Sequence, residues 1–176
     1  MESEKELPKR KSTRLKNYDY SSSGVYFVTI CTRDRQPILS EIIAHPVGEG
    51  LAPPESVPLE YTTELKPCGK IAKEQIMLLE VGYRGVTVTD YVIMPDHIHM
   101  IIQLKKTVDQ SAPSPTLSDI ICAFKSLTSR QCKQRYGIEK MFQRSFAEHI
   151  VRDKEDYETR RKYVHENPTK WYYKTK

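Results

Sequence analysis

Two histidines separated by one residue, His97 and His99, open an apolar run that ends at Leu104. A β-rich stretch from Val86 to Met94 precedes them, across a Pro95-Asp96 turn. Side chains on a strand alternate between faces, so residues two apart point the same way, about 7 Å apart along the backbone. His97, His99 and Ile101 therefore share one face, and Ile98, Met100 and Ile102 the other. Two imidazoles side by side on a rigid strand can clamp one metal ion and leave further positions open. The competing reading is a pair of half-buried histidines on a mixed-polarity sheet face, which the spacing alone does not exclude.

A second chemical group lies downstream. Asp153 is placed to cap a helix that runs from Lys154 to about Glu166 and is stopped by Pro168. Tyr157, the stem of Arg161 and Val164 form its packing stripe. Tyr163 lies on another face, where its helical neighbours are Asp156, Thr159, Arg160 and Asn167. A core tyrosine has apolar neighbours at those spacings and Tyr163 has none, so it is a candidate for a tyrosine aimed at a polar site, with Asn167 one turn away. His149 and His165 are candidates for supporting roles, and His45 is read as incidental. Tyr172 and Tyr173, beside Trp171, either dock the tail or stack on a base.

Further elements must hold these groups in place. Gly24 to Thr32 is the clearest first strand, with Tyr26, Val28 and Ile30 on one face and Val25, Phe27, Thr29 and Cys31 on the other. Residues 40–67 carry five of the eleven prolines and two glycines, and read as a long loop or loosely structured insertion. Gly69 to Glu80 reads as a helix with an imperfect stripe of Ile71, Gln75, Ile76, Leu78 and Leu79. The strands Val86 to Met94 and His97 to Leu104 form an antiparallel hairpin, and 105–115 is a linker loop. Thr116-Leu-Ser-Asp119 matches a capping box ahead of a helix with Leu117, Ile120, Ile121, Phe124 and Leu127 on its packing side. Lys125, Arg130 and Lys133 are left for solvent or phosphate. Ser145 to Val151 is a short fourth strand.

Composition narrows the classes. The chain has 176 residues, enough for one domain with some elaboration. The division expected is a basic arm over residues 1–17 and one domain over 18–176. Lys9, Arg10, Lys11, Arg14 and Lys16 in that arm are interrupted by no acidic residue, which suits a phosphate backbone; the plainer reading is a solvated tail. A net charge of +5 mildly favours a polyanionic partner. Eleven tyrosines against four phenylalanines suit surfaces that stack on ligands or hydrogen-bond to them. The four cysteines show no zinc spacing, the first residues are charged, and no apolar run is long enough for a membrane span. The expectation is a cytoplasmic protein with no membrane partner.

Taken together, the segments Arg14-Leu-Lys-Asn-Tyr-Asp-Tyr20, Tyr26-Phe-Val-Thr-Ile-Cys-Thr32, Val92-Ile-Met-Pro-Asp-His-Ile-His99, Phe124-Lys-Ser126, Glu148-His-Ile-Val-Arg152 and Tyr163-Val-His-Glu-Asn-Pro168 resemble the single-tyrosine HUH transposases, in particular the REP-associated tyrosine transposase (IS200-like) branch. The resemblance covers nearly the whole chain. It implies an α+β fold, a ferredoxin-like antiparallel sheet with helices packed on one face. It also implies a divalent metal, Mg²⁺ or Mn²⁺, held by His97 and His99, with Asn167 completing the site. Tyr163 becomes the nucleophile, and single-stranded or hairpin DNA the substrate, cut through a 5′-phosphotyrosine link. Members act within one chain or across a homodimer. Asp96 stands where many relatives have Asn, and Phe142 where many have Trp; neither is expected to touch the nucleophile or the ligands. The main alternative is a domesticated module that binds hairpin DNA without strand transfer. A replication initiator or relaxase, and an unrelated metal-binding protein acting on RNA, are further rivals.

Overall fold

The computed structural model describes residues 23–46, 59–105 and 115–175. The basic arm and the most proline-rich part of the 40–67 stretch lie outside these residues. Ten elements follow in order. They are strand β1 (Gly24–Cys31), a 3₁₀ turn (Arg33–Arg35), β2 (Ser40–Pro46), β3 (Leu59–Leu65), helix α1 (Pro67–Gly82), β4 (Val86–Ile93), β5 (His97–Leu104), α2 (Leu117–Tyr136), β6 (Ala147–Val151) and α3 (Lys154–Thr175).

β1, β4, β5 and β6 make one antiparallel sheet in the order β4-β5-β1-β6. With α1 after β1 and α2 after β5, this is the strand and helix order of a ferredoxin-like fold. The alternation in β1 and β5 divides the core in two. Tyr26, Val28, Ile30, Ile98, Met100 and Ile102 face α1 and α2, where Ile71, Ile76, Leu117, Ile120 and Phe124 complete the larger cluster. Each such aliphatic or aromatic side chain contributes about 1.5–3 kcal/mol through its burial. Phe27, Val92, Met94 and Ile101 face the other way and pack on Val164 of α3. The expected helices on one face are α1 and α2; α3 lies across the opposite face, the one that carries the histidines.

Several local readings hold in detail. The capping box is formed: the Asp119 N–H donates to Thr116 Oγ1, and the Thr116 N–H to Asp119 Oδ2. Gly137, with φ +70°, closes α2 in the left-handed region. Pro95-Asp96 joins β4 to β5, and the Met94 N–H donates to the His97 carbonyl across it. Leu78 and Leu127 depart from their assigned stripes, being exposed on α1 and α2.

Two readings are corrected. Residues 40–67 are not an irregular loop at either end: β2 and β3 pair as a separate two-stranded antiparallel sheet from Ser40↔Leu65 to Pro46↔Leu59. Prolines masked the signal because they cluster between the strands. The last helix does not stop at Pro168 but continues through it to Thr175. Proline removes one backbone donor and crowds the preceding turn. Burial of Val164, Asn167 and Pro168 offsets that cost, together with packing of the tail on β3, where the Tyr172 and Tyr61 ring centroids lie 4.2 Å apart.

Gly69, in the first turn of α1, is needed for close approach. A Cβ there would lie 1.9 Å from the Leu39 carbonyl oxygen. That oxygen accepts from the Lys66 N–H, and the Leu39 N–H donates to Pro95 of the turn before His97. Gly69→Ala is expected to cost about 3 kcal/mol, since backbone rather than a flexible side chain must give way. Urea unfolding of the two proteins checks this; equal midpoints would show that the segment yields freely.

Candidate active site

The site forms where β5 and β1 face α3. His97 and His99 lie on the α3 side of the sheet with ring centroids 4.6 Å apart, and the ring of Tyr163 stands edge-on at 5.2 Å from that of His99. Phe27 stacks on His99 at 5.0 Å and meets Tyr163 edge-on at 5.9 Å, fixing both from below. A cleft of about 360 Å³ is lined by both histidines, Tyr163, Asn167, Thr29, Arg35, Lys170, Trp171 and Lys174. The tertiary structure thus gathers the two histidines, the tyrosine and the asparagine into one cavity. Tyr163 is 39% exposed at its edge, whereas Asn167 is buried.

The hydrogen bonds on the histidines select their free nitrogens. His97 Nδ1 lies 2.5 Å from Asp96 Oδ1. An ionised carboxylate only accepts, so Nδ1 carries the proton and Nε2 keeps its lone pair. Asp96 was expected not to touch the ligands; it touches His97 directly, because a residue beside a strand-opening histidine can fold its short side chain back onto the ring. Phe142, the other departure, packs against Phe124 in the larger core. Thr29, paired with His99 in the β1–β5 register, places Oγ1 2.9 Å from His99 Nδ1 and can accept a hydrogen bond from its N–H.

Electrostatics favours neutral imidazoles. Burial pushes the His97 pKa down, against the opposing pull of Asp96. Burial, then the neighbouring His97 and Arg35, push His99 down to about 3. Both rings are therefore uncharged at neutral pH, the form that binds metal.

His99 Nε2 is buried and has no hydrogen-bond partner among the described residues. A buried polar atom left unpaired costs about 1–3 kcal/mol, and a cation is the partner that an imidazole lone pair on this strand fits. Among the described residues no three His, Cys, Asp or Glu side chains gather around an ion. Among the described residues a third protein donor would be of another type, and Asn167, whose amide carries an oxygen, lines the same cleft. Two imidazoles plus oxygen suit Mn²⁺, and Mg²⁺ under cellular supply.

Residues 75–167, more than half of the chain, match the family model described as "Transposase IS200 like". The chain belongs to the IS200-like transposases. Two proteins of Haemophilus influenzae are each 27% identical to it. One, described as uncharacterized, aligns over 92% of this chain and 89% of its own length. The other carries the name REP-associated tyrosine transposase and aligns over 89% of this chain and 77% of its own. A REP-associated tyrosine transposase solved bound to a REP hairpin has the same fold, with a TM-score of 0.58 at 18% identity over 89% of this chain and 73% of that one.

In this transposase the tyrosine helix is held from both flanks. A bulge in β4 between Val88 and Asp90 shifts the register by one residue and turns Asp90 to the α3 side. There Asp90 accepts from Tyr157 Oη at 3.3 Å and His165 Nε2 at 3.1 Å, with Arg161 Nε at 3.5 Å. On the other flank His149 of β6 bonds Asp156 at 2.7 Å, and Arg160 Nε donates to the same carboxylate. These bonds hold the Asp156 carboxyl below its ordinary range, that with His149 foremost. His149 and His165 thus act on the helix rather than on the site. His45, on β2, meets Thr62 of β3.

The cations divide differently from the sequence expectation. Lys125 Nζ donates to the carbonyls of Gln143 and Arg144, holding the segment that leads into β6. Lys133 pairs with Glu139, and Arg130 is exposed. All three ride on α2, the layer opposite the histidine face. Lys9, Arg10, Lys11, Arg14 and Lys16 lie outside the described residues. Among the described residues the cations that line the cleft are Arg35, Lys170 and Lys174, none of which stood out in the sequence. Lys170 also sits over the Tyr163 ring, 5.5 Å from its centroid. Trp171 closes the cleft at 5.6 Å from His97, so the tail docks on the protein. For Lys170, Trp171 and Lys174 the signal within reach was helical spacing from Tyr163 and Asn167, hidden by the expectation that the helix ends at Pro168.

No helix among the described residues is long and apolar enough to cross a membrane.

Proposed function

We propose that this transposase is a metal-dependent single-stranded DNA endonuclease and strand transferase that acts on hairpin DNA, with Tyr163 as its nucleophile. The observation that carries the reading is the placement of Tyr163 beside two neutral imidazoles, one with a buried, unpartnered Nε2. His97, His99 and Asn167 would hold a divalent cation. Bound there, Mn²⁺ or Mg²⁺ would neutralise charge on a phosphate and orient it.

The chain's own groups do the rest. Tyr163 Oη loses its proton to solvent and bonds to phosphorus, the bond from phosphorus to the 3′ oxygen breaks, and that oxygen takes up a proton from water. The products are a 5′-phosphotyrosine link and a free 3′-hydroxyl. The phosphodiester energy is kept in the link, so a second 3′-hydroxyl can reverse the reaction and rejoin the strand without ATP. Phe27 beneath the ring and the Asp90 and Asp156 clamps hold the phenol in place; orientation of this kind lowers the barrier without new contacts to substrate. The solved relative bound to a REP hairpin supports a hairpin substrate.

The test is a gel assay. Labelled hairpin DNA with a single-stranded foot, taken from beside the gene, is incubated with the protein and Mn²⁺ or EDTA. An SDS-resistant shift that requires Mn²⁺ is expected. Tight binding with no adduct in either condition, or with Mg²⁺, would instead favour a hairpin-binding module without strand transfer.

The basic arm and Arg130 are assigned to the phosphate backbone. Lys125 and Lys133 share that assignment in the DNA complex, where their present partners would be exchanged. Replacing Lys9, Arg10, Lys11, Arg14 and Lys16 by Ala is expected to weaken binding at every sequence. The slope of log K against log salt should flatten by about 0.7 for each single-strand phosphate, or about 0.9 for each stem phosphate, that is no longer neutralised. Fluorescence anisotropy at several salt concentrations reads it; an unchanged slope removes the arm from the interface.

A further inference from the structure

If a DNA phosphate enters the Tyr163 cleft, as the proposed function requires, two residues of that region acquire a role: Arg35 and Asp96. Arg35 and its neighbour Asp34 both have positive φ, 54° and 53°. For residues with a Cβ this conformation costs about 1–2 kcal/mol each. The turn that bears them is fastened where it begins. The Arg33 N–H donates to the Met141 carbonyl, and the backbone and side chain of Thr32 both donate to the Asp96 carbonyl.

The result of that turn is a guanidinium on the cleft wall. Arg35 Nη1 reaches Asp96 Oδ2 at 3.4 Å, while Asp96 Oδ1 holds His97 Nδ1. The Asp96 side chain is 9% exposed and that of Arg35 54%. As a stabilising ion pair this contact is worth about 0–1 kcal/mol at such exposure, which does not offset two left-handed residues. Strained residues that the surrounding bonds hold in place cluster at functional sites. Among the described residues the fork's only polar partner is Asp96, and its planar geometry fits two oxygens of a phosphate.

We propose that Arg35 binds the substrate phosphate in the cleft, and that Asp96 couples it to His97 by holding the guanidinium with one oxygen and the imidazole with the other. Arg35 touches substrate; Asp96 is a positioning residue. An Asn at position 96 could still accept from His97 through its amide oxygen but would turn an NH2 donor toward Arg35 and release it, so the two roles can be separated.

The experiment uses the full chain, hairpin DNA and Mn²⁺, with single-turnover adduct formation and, separately, Mn²⁺ binding without DNA read by the free-ion EPR signal. Arg35→Ala is expected to slow adduct formation by about 10²–10³-fold, the effect of removing one aimed charge donor, with Mn²⁺ binding unchanged. Arg35→Lys recovers part of the loss, because charge returns without the fork. Asp96→Ala weakens Mn²⁺ binding about 10–100-fold, as loss of a histidine's orienting partner does, and excess Mn²⁺ restores its rate in part. Asp96→Asn keeps Mn²⁺ binding yet slows the adduct, and adding it to Arg35→Ala causes no further loss.

Wild-type adduct rates in Arg35→Ala would overturn the phosphate role, and unchanged Mn²⁺ binding in Asp96→Ala would overturn the coupling. Should the wild-type chain itself form no adduct, the proposed function fails separately. The DNA affinity of Arg35→Ala then decides: a weakened Kd supports the phosphate role and an unchanged one overturns it.

Discussion

Tyr163→Phe is expected to abolish the covalent DNA adduct, with a fall of at least about 10⁴-fold, the scale on which nucleophile removal acts. The substitution deletes one oxygen and keeps the ring. Its edge-on contacts with Phe27 and His99 persist, and the ring is already 39% exposed, so unfolding free energy should change by less than about 0.5 kcal/mol. Binding of hairpin DNA should survive as well. An adduct that persists in Tyr163→Phe would move the nucleophile to another tyrosine, and the exposed Tyr173 is the first to try next.

His99→Phe is expected to have the second largest effect, and in two opposite directions. Adduct formation should fall about 10³-fold or more, since half of the imidazole pair is gone. Stability without metal should hold or rise by up to about 1 kcal/mol, because an unpaired buried nitrogen is replaced by an apolar ring of similar shape. The bond to Thr29 is lost, but stacking on Phe27 can persist. The wild-type protein, by contrast, should gain about 2.7 kcal/mol when Mn²⁺ is present at a hundred times its Kd, and the variant nothing. Thermal unfolding with Mn²⁺ and with EDTA reads both halves. A variant still stabilised by Mn²⁺ would place the metal elsewhere.

These two results would test the part of the molecule that the residues themselves announced. His97 and His99 are two apart on a strand, and Tyr163 and Asn167 four apart on a helix. Each pair is local, so backbone periodicity alone puts its members on one side. The capping box at Thr116 and the alternation of β1 are legible for the same reason. Local rules failed where distant packing overrode them. Pro168 reads as a helix stop, but burial of Asn167 and docking of Tyr172 on Tyr61 carry α3 onward, bringing Lys170, Trp171 and Lys174 to the cleft. β2 and β3 were hidden by the prolines around them.

What the sequence by itself determined is the set of reactive groups and the short-range geometry within each pair, because strand and helix periods depend on nothing farther away than a few residues. What only the tertiary structure decided is how the pairs meet and which partners tune them. The bulge that turns Asp90 toward α3, the register that sets Thr29 against His99, and the strained turn that carries Arg35 to Asp96 all join residues distant in the chain. Such contacts are set by the packing of whole layers against one another, and no period in the sequence encodes them.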